Sequence, residues 1–131
     1  MESVLAQDYP EIEHVVIDGG STDGTQAVIE TYSEQLGYYI SEPDKGLYNA
    51  LNKGIRAATG DIIGILHSDD FYPKACTLSE VAQGFQNSGA DIVYGNGMFV
   101  DREQPDVVKR VYKAKTFKSS YLNPRYNFCS C

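Results

Sequence analysis

The side chains best suited to chemistry in this 131-residue chain gather in one stretch, Gly60 to Pro73, which reads Gly-Asp-Ile-Ile-Gly-Ile-Leu-His-Ser-Asp-Asp-Phe-Tyr-Pro. Two adjacent carboxylates, Asp69 and Asp70, and the imidazole of His67 follow directly on an apolar run. Hard oxygen ligands beside one imidazole suit magnesium or manganese held together with a substrate phosphate. An acidic turn capping the next helix reads equally well from this stretch alone. A second set follows Asp18: Gly19-Gly20-Ser21-Thr22-Asp23-Gly24-Thr25, a loop of small residues and helix caps. Strand, glycine-rich turn and helix in that order suit an anion or nucleotide at the helix N-terminus. The turn is not a Walker loop, because no Gly-Lys-Ser/Thr follows, and it is not a Gly-x-Gly-x-x-Gly fingerprint. A third set is Glu42-Pro43-Asp44-Lys45-Gly46, where Asp44 and Lys45 stand with Asn49 in reach of a ligand.

These residues need elements to position them. Ile62, Ile63, Ile65 and Leu66 form a nearly continuous apolar run, the pattern of a strand buried on both faces of a parallel sheet. Its carboxyl end, where open α/β sheets bind ligands, presents His67 to Asp70. Glu13 to Asp18 reads as a second buried strand, Tyr38 to Ser41 as a short one and Asp91 to Gly95 as a fourth. Met98 to Val100 extends or bends that fourth strand, and Val107 to Tyr112 reads as an edge strand.

Ser3 to Gln7 reads as the end of a helix, stopped before Pro10. Asp23 and Gln26 resemble a capping box before a helix running through Tyr32. Leu47 to Thr59 predicts a helix with Leu47, Ala50, Leu51, Ile55 and Ala58 on one face, closed by Gly60 at the C′ position. Asn49, Asn52, Lys53 and Arg56 occupy its other face, and Thr77 to Glu80 is a second capping box. Strands alternating with helices predict an α/β fold, a mostly parallel sheet flanked by helices. Right-handed crossovers then place the loops after Asp18, Ser41 and Leu66 along one edge.

Composition narrows the classes. The net charge of −7 is uneven: residues 1–100 carry 4 basic and 15 acidic side chains, and residues 101–131 carry 7 and 3. An acidic body argues against nonspecific nucleic-acid binding. The basic tail reads as a solvated face or as a patch for phosphates or an anionic membrane surface. No apolar run approaches the roughly 20 residues of a membrane span, and the start lacks a signal peptide. Cys76, Cys129 and Cys131 lack metal-site spacing, which reads as free thiols in a reducing cytosol.

Three separated motifs together resemble family 2 glycosyltransferases: Val-Ile-Asp-Gly-Gly-Ser-Thr-Asp-Gly-Thr (16–25), Glu-Pro-Asp-Lys-Gly-Leu-Tyr-Asn-Ala-Leu-Asn-Lys-Gly-Ile (42–55) and Ala-Thr-Gly-Asp-Ile-Ile-Gly-Ile-Leu-His-Ser-Asp-Asp (58–70). Their order and spacing match the nucleotide-sugar half of the Rossmann-like GT-A fold. The resemblance covers roughly residues 1–100, with residues 101–131 as the start of an acceptor-side part of the same domain. It implies a nucleotide-diphosphate-sugar donor, most often a UDP-sugar, and a divalent metal, manganese or magnesium. By position it implies that Asp18 contacts the nucleoside with Ser21 in its loop, and that Asp44 sits near the base or ribose. It implies that Asp69 binds the metal and that Lys45 meets the diphosphate, with a surface salt bridge as the other reading of Lys45.

The sequence departs from the family pattern at His67, where the signature usually begins with Asp or Asn. His67 reads as a ligand of the metal or ribose or as a spacer at a strand end. The family also begins with a further strand and places its acceptor site and general base past the region matched here, so the chain reads as a fragment truncated at both ends. The resemblance then implies an inverting transferase acting on a glycan or lipid-linked acceptor in polysaccharide biosynthesis. Its expected place is the cytoplasm, with peripheral association at the inner face of a membrane. A catalytically inactive remnant that binds a nucleotide or another subunit is the alternative. A nucleotidyltransferase shares the α/β layout but lacks its glycine-rich loop with a trailing Lys or Arg. An open sheet edge predicts pairing with another chain, a homodimer or an aggregate. The tyrosines from Tyr112 to Tyr126 read as ordinary packing or as sugar-stacking rings.

Overall fold

Val15–Asp18 (β1) and Tyr38–Ser41 (β2) pair in parallel, with Val15 opposite Tyr38 and Asp18 opposite Ser41. The structure, a computed structural model, describes residues 1–115. The chain forms two compact units, Met1–Ser79 and Glu80–Cys131. The first holds α1 (Glu2–Leu5), β1, α2 (Thr25–Glu30), a 3-10 turn (Ser33–Gln35), β2 and α3 (Leu47–Ala57). A parallel pair needs a crossover connection, and α2 with the 3-10 turn supplies it.

Helix α3 packs on β1 with Gly54 beside Ile17, where a Cβ would make an ordinary contact with Ile17 Cγ1 at 3.5 Å. The half-buried positions of the helix and its C-cap are Asn49, Ala50, Leu51, Lys53, Gly54, Ala57 and Ala58. The expected face is corrected at two positions, since Leu47 and Ile55 are exposed. Gly60 is also not a left-handed cap. The helix ends at Ala57, Ala58 turns extended (φ −64°, ψ 137°), and the glycines with positive φ lie elsewhere. Glu13 assists at this end, its Oε2 accepting the Thr59 N–H at 2.7 Å.

The run Ile62 to Leu66 does not form the expected central strand. Among the described residues β1 pairs only with β2, and no strand lies against this run. A continuous apolar pattern is what a doubly covered strand would show, but a ladder also needs neighbours to share its hydrogen bonds. Here the backbone is irregular, and Ile62 and Ile63 are about half exposed, at 49% and 47%.

The segment after Asp70 is held from the N-terminus of the chain. The Gln7 side chain donates to the carbonyls of Ser3 (2.9 Å) and Lys74 (2.8 Å) and accepts the Leu78 N–H (2.9 Å). Ser79 Oγ donates to Asp8 at 2.5 Å, and the Tyr72 N–H donates to Ser3 Oγ at 3.2 Å. The short α1 is therefore a clamp on residues 72–79. Val4, at its centre, is one of the few buried apolar side chains, with Ile29 of α2.

In the second unit, α4 (Thr77–Ser88, crossing the boundary) is followed by β3 (Gly97–Val100) and β4 (Val108–Tyr112). These two strands pair antiparallel with an irregularity at Phe99/Val100. The expected strand at Asp91 to Gly95 is absent; Tyr94 instead sends its hydroxyl to the Lys115 carbonyl at 2.6 Å. Asp101 organises the connecting turn, accepting the Glu103 and Gln104 N–H groups and pairing with Lys109. On the hairpin the Arg110 guanidinium lies 4.5 Å over the Tyr112 ring.

Candidate functional site at the carboxyl ends of the strands

Asp18 ends β1 and is buried, with 7% of its surface exposed. A buried carboxylate must find donors or give up its charge. Asp18 finds four. Its Oδ2 accepts the Gly20 N–H (3.2 Å), the Ser21 N–H (2.9 Å) and Ser41 Oγ (2.6 Å), and its Oδ1 accepts Ser21 Oγ (2.5 Å). The Ser21 hydroxyl, then that of Ser41, with the two N–H groups behind them, outweigh desolvation and hold this carboxyl below the usual range. Asp18 is thus a fixed negative charge.

The loop after β2 closes over the same place. Gly20, at φ +84°, turns the chain against Pro43, whose nitrogen a Cβ would meet at 3.2 Å. The carboxylate of Asp44 lies against Gly19 and accepts the Gly46 N–H at 2.7 Å. Glu42 pairs with Lys53 of α3 at 2.8 Å. The structure therefore brings together Asp18, Ser21 and Asp44, as the sequence reading expects. It adds Ser41, which that reading took only as the end of a strand. Lys45 is exposed and its ammonium makes no ion pair among the described residues; its N–H reaches Asn49 Oδ1 at 3.4 Å.

At the start of α2 one of the free N–H groups is taken by a side chain. Asp23 Oδ1 accepts both the N–H (3.1 Å) and the hydroxyl (2.6 Å) of Thr25, and these bonds hold its carboxyl below the usual range. The capping box is corrected with it. Gly24 takes the N-cap position at φ 93°, and Gln26 donates to the Ser21 carbonyl (2.7 Å) instead of reaching back to Asp23.

His67, Ser68 and Asp69 form a separate exposed turn, closed by the Asp70 N–H on the His67 carbonyl at 3.1 Å. No hydrogen bond or ion pair among the described residues ties this turn to the Asp18 loop. Among those residues no group of three or more His, Cys, Asp or Glu side chains is placed to enclose a metal. Among the described residues the Asp69 carboxylate makes no hydrogen bond or ion pair, so its oxygens are open to a hard cation. One carboxylate with phosphate oxygens and water is a common magnesium site, and this donor set fits that pattern. Of the cysteines, Cys76 is half-buried; Cys129, Cys131 and most of the tyrosine-rich tail lie outside the described residues. No helix among the described residues is long and apolar enough to cross a membrane.

Residues 1–130 match the family described as "Glycosyl transferase family 2". An uncharacterized glycosyltransferase of Mycobacterium tuberculosis is 38% identical over 100 residues, covering 75% of this chain and 38% of that protein. A "PGL/p-HBAD biosynthesis glycosyltransferase" of Mycobacterium bovis is 34% identical over 100 residues, 73% of this chain and 39% of that protein. An uncharacterized glycosyltransferase of Nostoc is 35% identical over 112 residues, 78% of this chain and 34% of its own length. The chain thus spans well under half the length of these relatives. No solved structure gives a significant match. With the match over residues 1–130, an α/β fold and a parallel strand pair, this chain belongs to glycosyltransferase family 2.

Proposed function

We propose that this chain forms the nucleotide-sugar-binding part of an inverting glycosyltransferase. Its donor is a nucleotide-diphosphate sugar, a UDP-sugar, and its acceptor a glycan or a lipid-linked saccharide. The observation that carries this reading is the meeting of the Asp18 loop and the Asp44 turn at the carboxyl ends of two parallel strands, where open α/β sheets take nucleotides. Asp18 and Ser21 hold the nucleoside, and Asp44 borders the base or ribose. Lys45, without a carboxylate partner among the described residues, meets the diphosphate. Asp69 holds manganese or magnesium with His67 beside it. The metal, when bound, supplies charge neutralisation at the leaving diphosphate.

Residues 1–100 form this donor part, and residues 101–131 begin the acceptor side. The name of the M. bovis relative supports a biosynthetic role. The acidic body disfavours nucleic acid as a partner. Work at the cytoplasmic face of a membrane, with the basic tail on anionic lipid, fits the charge pattern. Calorimetric titration of UDP and GDP with manganese tests the reading. Metal-dependent binding supports it, and failure of both nucleotides to bind overturns it.

A further inference from the structure

Among the described residues, Ser41 is the one donor to Asp18 that comes from outside the Asp18 loop. The two residues are register partners at the ends of β1 and β2, and the Ser41 hydroxyl reaches Oδ2 at 2.6 Å. An ionised carboxylate has about four lone-pair sites, two on each oxygen. With two N–H groups and Ser41 Oγ on it, Oδ2 is fully used. Oδ1 takes only the Ser21 hydroxyl, so one of its lone pairs stays open. Ser21 spends its proton on Asp18, so its oxygen too can only accept from a ligand or from neighbouring donors. A bound molecule therefore meets an acceptor pair, Asp18 Oδ1 and Ser21 Oγ, and must bring an N–H or O–H to it.

We propose that Ser41 is a positioning residue of the donor site: acting through Asp18, it commits Oδ2 to the protein and fixes the Oδ1–Ser21 pair as the acceptor edge for an N–H or O–H of the bound nucleoside. This inference rests on the reading of Asp18 as a nucleoside contact. Without the Ser41 hydroxyl, Oδ2 keeps only the two N–H groups of its own loop. The carboxylate is then held by three hydrogen bonds, all from its own loop, and its acceptor edge is fixed less firmly.

The test uses the full chain with Ser41→Ala, and with Ser41→Thr and Ser41→Val as a pair of equal shape that differs in the hydroxyl. UDP affinity with manganese is measured from pH 8 to pH 4, beside the melting temperature of each variant. The charged groups around Asp18 are Asp23, Asp44 and the Glu42–Lys53 pair, and they are common to all variants. The expected result is UDP binding about tenfold weaker in the Ala and Val variants, the size of ordering one side chain on binding. The Thr variant restores it. In the Ala and Val variants binding also falls away at higher pH on the acid side, because Asp18 has lost a donor that favours its charged form.

Wild-type affinity in the Ala or Val variant overturns the proposal while leaving the donor site standing. So does weakened binding that Thr fails to restore or whose acid limb stays put. Absence of UDP binding to the unaltered chain overturns the donor-site reading and this inference with it.

Discussion

A methyl group on Gly19 would stand 2.9 Å from Oδ2 of Asp44, inside the contact distance of packed atoms. Asp44 has little freedom to withdraw, since its other oxygen accepts the Gly46 N–H at 2.7 Å. Gly19→Ala should therefore displace Asp44 and weaken UDP binding roughly tenfold, the worth of about one hydrogen bond. The melting temperature should barely move. Gly20→Ala is the contrast. Its positive φ costs roughly 1–2 kcal/mol for a residue with a Cβ, and the Pro43 backbone leaves no room for one. That variant should lose stability as well as binding, which thermal melts beside the titrations will separate.

The clamp made by Gln7 predicts a stability effect. Gln7→Ala removes three hydrogen bonds and leaves the Leu78 N–H and the Lys74 carbonyl without this partner. The expected loss is roughly 1–3 kcal/mol in urea unfolding followed by far-UV circular dichroism. Limited proteolysis should cut faster between residues 60 and 76. Unchanged unfolding would mean that α1 does not hold this segment.

Acid should weaken the fold in two windows. Burial, and then the positive amino terminus, push His14 below its ordinary value of 6.5, and its Nδ1 is buried without a hydrogen-bond partner. The unfolded chain therefore takes up the proton first, and stability declines as pH falls below 6.5, until the folded imidazole is itself protonated. Asp18 adds a second decline below its ordinary 3.8, as pH falls through its lowered folded value. Melting temperatures at pH 8 and pH 5.5 should differ for the wild type and converge for His14→Phe. A wild-type melting temperature that is flat across this range would contradict the first window.

The unpaired edge of β1 and the half-exposed Ile62 and Ile63 predict association of this chain with a second copy. Light scattering should show mass rising with concentration, and Ile62→Lys with Ile63→Lys should lower it. A monomer at every concentration would contradict this.

The sequence carried the elements that depend on local pattern. The apolar run of β1, the span of β2 and the start of α3 at Leu47 were all legible, because local pattern and turn chemistry act within a few residues. The Ile62 to Leu66 run misled for a physical reason: apolar content reports the burial a strand is built for, whereas pairing depends on which neighbours stand beside it. Leu47 and Ile55 misled because the face a helix buries depends on the element it packs against, here β1, which apolar spacing alone does not report. At the site, the Asp18 loop and the Asp44 turn could be read from their residues. Ser41 could not, since a serine at a strand end is commonplace; the available signal was register, which sets it opposite Asp18. Gln7 acts across some seventy residues of sequence, a distance at which local pattern carries no information.

The most direct test of the central claim is calorimetric titration of UDP, with and without manganese, into this chain and its Asp69→Ala variant. A nucleotide-sugar site predicts binding to the unaltered chain that strengthens with manganese, and loss of that metal dependence in Asp69→Ala. Nucleotide binding that is indifferent to metal, or equally metal-dependent in both proteins, would contradict the role given to Asp69. No binding of UDP or GDP to the unaltered chain would contradict the donor site itself.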